Sequence, residues 1–115
     1  MQKFIVLYMA PAASLEEWMK QDESVRQADE ENMKGEWNAW MAEHGTLLTD
    51  GTFGAGKTKR VTKGQVSDVK NDVMLVSILE TESQEVVADA FKDHPHFGIP
   101  GGWIDVMPMN DVSGM

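Results

Sequence analysis

Two short runs in this chain are almost wholly apolar: Phe4-Ile5-Val6-Leu7-Tyr8-Met9 and Val73-Met74-Leu75-Val76-Ser77-Ile78-Leu79. Runs of this length, dense in β-branched and aromatic residues, read as strands. A strand sends alternate side chains to opposite faces, so a run that is apolar throughout must be covered on both sides. Any fold for this chain must therefore place a sheet between two apolar layers.

The intervening residues supply one layer. Ser14 opens a capping box with Glu17, which starts a helix. Leu15, Trp18 and Met19 lie on one side of its first turn. Residues 20–32 are nearly all polar and are expected to hold a break or a second helix start. Met33, Trp37, Trp40, Met41 and His44 then draw one helical stripe. Gly45 is expected to end that helix as a left-handed cap. Thr46-Leu47-Leu48-Thr49 reads as a second strand. Residues 57–62 and 65–69 flank Lys63-Gly64 as a hairpin, with Gly64 at positive φ. Ser83 caps a further helix, with Val86, Val87, Ala90 and Phe91 as its buried stripe. That helix stops before Pro95, and residues 103–109 form a last strand.

The expected order is thus β-α-β-(hairpin)-β-α-β: an α+β fold, ferredoxin-like, with two helices on one face of an antiparallel sheet. Residues 1–115 form a single domain. Such a sheet leaves its other face bare. A second copy packed face to face, making a dimeric α/β barrel, would cover it.

The chain has no cysteine, which excludes disulfides, thiolate metal sites and cysteine nucleophiles. Its net charge of −9 repels nucleic acid, so none is expected as a partner. Residues 14–43 carry nine acids against three bases, the pattern of a solvated helix face. Lys57, Lys59, Arg60 and Lys63 reverse the bias and read as a hairpin guarded against edge pairing. The apolar start is too short for an export signal and no run reaches membrane-span length, so a cytoplasmic protein without a membrane partner is expected.

Two sequences carry candidate chemistry. Gly51-Thr52-Phe53-Gly54-Ala55-Gly56-Lys57-Thr58 fits the phosphate-loop pattern letter for letter. Phosphate binding there needs a following helix, whose N-terminal amides and dipole hold the anion. The residues after Thr58 alternate like a strand instead, so nucleotide binding is the weakest of the functional readings. Asp93-His94-Pro95-His96-Phe97 is the stronger candidate, since loops next to regular elements carry most binding groups. Read as extended, the two imidazoles point the same way. Three roles compete for them: acid–base transfer oriented by Asp93 or Asp68, a divalent metal site with Asp93 as third ligand, or helix capping and packing. One H-x-H supplies two ligands only, which ranks metal last, and no metal or cofactor is expected. Trp37, Trp40 and Trp103 suit a core, a dimer interface or the floor of an apolar pocket.

The chain resembles the YCII-related family, relatives of the DGPF-domain proteins. The resemblance rests on the first strand, on Trp37-Asn38-Ala39-Trp40-Met41-Ala42-Glu43-His44-Gly45, on the loop of residues 51–57, and above all on Asp93-His94-Pro95-His96 with Pro100-Gly101-Gly102-Trp103-Ile104-Asp105-Val106. It covers nearly the whole chain apart from residues 20–32. It implies a ferredoxin-like fold assembled as a dimeric α/β barrel. It also implies a histidine–aspartate pair in a cleft, which maps to His94 with Asp93 or Asp68. The DGPF-type motif is altered, with Thr52 in Asp50-Gly51-Thr52-Phe53 standing where proline is usual. The resulting expectation is a homodimer that binds an unknown small molecule in a pocket lined by His94, His96, Trp40, Phe97 and Trp103. Lyase, isomerase or cofactor-free oxygenase-like chemistry suits that scaffold. The alternative is a non-catalytic dimerisation module with structural histidines.

Overall fold

Strand β1, Gln2–Met9, lies in the middle of the molecule, with Phe4, Val6 and Tyr8 buried on one face. It pairs antiparallel with β5, Val73–Thr81, on one side and with β6, Trp103–Pro108, on the other. A short strand β2, Thr52–Gly54, adds to the far edge of β5. The four-stranded sheet therefore runs β2-β5-β1-β6, with every neighbouring pair antiparallel. Strands β3, Thr58–Thr62, and β4, Gln65–Val69, form a separate hairpin, and Gly64 turns it at φ +78°. The fold is α+β with antiparallel sheets. This computed structural model describes residues 1–48 and 50–114.

Among the described residues three α-helices accompany the sheet: α1, Ala12–Met19; α2, Glu23–His44; and α3, Gln84–Phe91. The polar stretch breaks at residues 20–22, as its composition predicts. Ser83 Oγ accepts the Val86 amide and caps α3, also as predicted. The first helix differs. It starts two residues before Ser14, directly after Pro11, whose φ of −56° already suits a helix start. The Ala12 amide is met by the Asp72 carboxylate, and the Ser14 hydroxyl donates to the Pro100 carbonyl instead of capping its own helix. The capping-box expectation fails because a proline and a distant carboxylate do that work.

Three further expectations are corrected. Residues 46–48 are not a strand: Gly45–Leu47 is a 3-10 turn, and the edge strand comes later, at Thr52–Gly54. Thr49, the last residue of the expected strand, lies outside the described residues. Gly45 is not left-handed; at φ −60° it carries α2 straight into that turn. On α3, Val87 and Phe91 are buried as expected, but Val86 faces out.

The core lies between the sheet and the helices: Phe4, Val6, Tyr8 and Leu79 below, Trp40, Val87 and Phe91 above. Ile104 and Val106 close it from β6. Alternation then sends Ile5, Leu7, Met9, Val76 and Ile78 to the opposite face. Trp103 and Met107, paired with Met9 and Ile5, join them there. Among the described residues, no helix covers this second face. The molecule is accordingly thin, 51 × 45 × 20 Å. Its radius of gyration, 16.2 Å, exceeds the roughly 13 Å of a compact chain this size.

Candidate functional site

The turn after α3 decides the fate of both histidines. Pro95–Gly98 forms a 3-10 turn, so His94 and His96 do not project side by side from an extended segment. His94 is the N-cap of that turn: its Nδ1 accepts the His96 amide at 2.9 Å. His96 points beneath the end of β1, where its Nε2–H donates to the Met9 carbonyl at 2.7 Å. Both rings are 2% exposed. Close glycine packing allows the tight return of the chain, since a Cβ on Gly102 would lie 3.0 Å from the Ile99 carbonyl oxygen.

His94 sits in an aromatic chamber between the sheet and α2. The rings of Trp37 and Trp40 meet it edge-on, with centroids at 4.4 and 4.6 Å. Tyr8 lies below it at 5.3 Å, and Phe91 stacks on it at 5.4 Å. Because Nδ1 accepts a hydrogen bond, the proton of the neutral ring is on Nε2. That Nε2 is buried and has no hydrogen-bond partner among the described residues. Burial, reinforced by the charges of His96 and His44, pushes the His94 pKa down to about 4. At neutral pH the ring is therefore an uncharged hydrogen-bond donor and a poor base.

A second buried polar chain starts at Tyr8. Its hydroxyl bonds Ser77 Oγ at 2.8 Å, and Ser77 bonds Thr52 Oγ1 at 2.7 Å on the exposed edge strand. Burial raises the Tyr8 pKa, partly offset by these two hydroxyls. The phenol thus stays protonated. Ser77, the one hydroxyl in the apolar run of residues 73–79, is the sequence signal for this chain; Tyr8 carries none beyond its residue type.

The expected site residues separate into distinct places. Trp40 joins the chamber, its indole N–H held by the Ala90 carbonyl at 3.0 Å. Asp93 is exposed and lines a cleft of about 350 Å³ with Trp40, His44 and Asp89. Asp68 lies on the hairpin, ion-paired to Lys59 at 2.6 Å, and lines a different cleft of about 880 Å³. Neither carboxylate bonds His94, whose Nδ1 is taken and whose Nε2 is empty-handed. Phe97 faces solvent, and Trp103 belongs to the bare side of the sheet. The 3-10 turn draws both rings inward, and neither lines either of these two clefts. The chemistry the geometry offers is a neutral N–H donor in an apolar chamber, without a carboxylate to orient it.

The phosphate-loop pattern also lands in a setting unlike the one it needs. Thr58 begins strand β3, so the glycine loop leads into a strand and not into the helix the pattern requires. Compared with known families and curated proteins, the chain matches no family model and no curated sequence.

Proposed function

We propose that this chain is a YCII-related, ferredoxin-like subunit that acts as a homodimer and binds a small molecule through His94 in the aromatic chamber. The observation that carries the site is the orphaned Nε2–H of a ring otherwise enclosed by hydrocarbon. Leaving a buried donor unpaired costs about 1–3 kcal/mol, so a group in that condition calls for a partner in the working state. A ligand oxygen is the natural acceptor. In a dry chamber, an uncharged N–H aimed at a carbonyl stabilises the oxyanion of an enolate-like intermediate, which suits isomerase or lyase chemistry. Helix α2 is the wall that must yield to admit it: of its 22 residues, Trp40 alone is buried.

The sheet order supports the ferredoxin-like reading, and the bare face of Ile5, Leu7, Val76 and Ile78 supports the dimeric α/β barrel. Leu7→Asp should turn the dimer into a monomer, or into aggregates, with the secondary structure retained. Light scattering and circular dichroism measure this, and a wild-type chain that runs as a monomer ends the dimer proposal.

The site is tested by analysing what co-purifies with the native protein. A small molecule released from wild type and missing from His94→Asn supports it. Equal recovery from both favours the second reading, a non-catalytic dimerisation module with structural histidines. The observation behind that reading is the sealing of both rings.

A further inference from the structure

Charge is distributed against the trend of the chain at one place only. Residues 57–70 hold Lys57, Lys59, Arg60, Lys63 and Lys70 against Asp68, a local +4 in a protein of net charge −9. Half of the chain's ten basic residues are in this stretch. Where the hairpin β3–β4 leaves the body, this stretch borders the cleft of about 880 Å³. The cleft shares no lining residue with the aromatic chamber. Its floor is apolar, from Leu15 of α1 to Val73 and Met74 of β5, and its rim carries Lys57, Lys59 and Lys70.

The rim already handles carboxylates. Lys59 holds Asp68, and Lys70 reaches from the hairpin root to Glu16 on α1. The Lys70 ammonium draws the Glu16 carboxyl below its usual pKa. Lys57 makes none of the ion pairs among the described residues. It follows Gly56 directly, with the Thr58 hydroxyl on its other side.

We propose that this cleft is a binding site for an apolar molecule that bears a single carboxylate, its hydrocarbon on the Leu15–Met74 floor and its charge at Lys57. The size falls within the range of small-molecule sites, which are mostly apolar with a few convergent polar groups. One free ammonium matches one negative charge. A triphosphate would bring several charges against Glu16 and Asp68, and the Ala12 amide at the start of α1 is already taken by the Asp72 carboxylate. The excess of lysines on an acidic protein also favours the approach of an anion to this opening.

Decanoate, decanol and Mg–ATP are the probes, read by the methyl signals of the chain's nine methionines. Met74 lies in the cleft and Met107 on the bare sheet face, so their two signals separate specific from general apolar binding. Decanoate should shift Met74 saturably and leave Met107 in place. Lys57→Met and the exchange of decanoate for decanol should each weaken binding about fivefold, the scale of one exposed charge contact. The proposal is overturned if Met74 shows no saturable shift up to about 5 mM decanoate, or if Met107 responds first. It is overturned equally if Lys57→Met and decanol leave the affinity unchanged, or if Mg–ATP binds where decanoate does not.

Discussion

His96→Ala should cost about 4 kcal/mol of folding stability, the largest loss expected from any polar side chain in the protein. Two effects add. The imidazole fills a fully buried position against Tyr8, at 5.7 Å between ring centroids, so truncation leaves a cavity. It also supplies the Nε2–H that satisfies the Met9 carbonyl, which the substitution strands in the interior. Met9 is where β1 ends and the chain bends into Pro11, so the defect falls at the junction that sets the angle between sheet and α1. Small domains are stable by about 5–15 kcal/mol in all, and a loss of this size brings them near the threshold of folding. Urea denaturation of wild type and variant gives the number. A loss below about 1 kcal/mol would mean that His96 is not the brace described above. His96→Gln, whose amide N–H can reach toward the same carbonyl, should recover part of the loss, which separates the hydrogen bond from the cavity.

This assignment divides a pair that looks symmetric in the sequence. The strands at residues 4–9 and 73–79, the hairpin with Gly64 and the helix capped by Ser83 are legible because each rests on local chemistry: uniform apolarity, a turn glycine, a hydroxyl before a helix. What fails is set at long range. Asp72, sixty residues away, takes the capping role that Ser14 was expected to fill. The strand expected at residues 46–49 moves to Thr52–Gly54 because an edge strand is chosen by what β5 offers it, not by its own propensity. At the site, His94 and Trp40 are brought together, while Asp68, Phe97 and Trp103 go elsewhere. The 3-10 turn that starts at Pro95, with the His94 ring as its cap, gives the two rings different duties. Spacing locates such residues on the chain; only the tertiary fold says which of them see solvent.

His94 makes the stability of the protein depend on pH in a sense opposite to that of a histidine paired with an acid. Its folded pKa of about 4 lies below the ordinary value of 6.5. Between those limits the unfolded chain takes up a proton that the folded chain refuses, so acid favours unfolding. Stability should be fully present above about pH 6.5, decline by at most 1.36 kcal/mol per pH unit, and be lower by about 3 kcal/mol near pH 4. Below that the folded ring charges too and the dependence levels off. The cause is geometric as well as dielectric. A charged imidazole carries protons on both nitrogens, so Nδ1 would stop accepting the His96 amide, and both the new Nδ1–H and that amide would be orphaned. The groups facing the ring offer no relief: Tyr8 is neutral, His96 and His44 oppose a positive charge, and Trp37, Trp40 and Phe91 are apolar. His94→Asn keeps a side-chain oxygen in reach of the His96 amide and removes the titrating ring. Its unfolding free energy should therefore vary less with pH than wild type between 6.5 and 4, and the difference between the two curves isolates His94 from the carboxylates that titrate at the acid end. Parallel curves would show that His94 is protonated as readily in the folded protein as in the unfolded one, and that neither its burial nor its bond to the His96 amide holds the ring uncharged in acid.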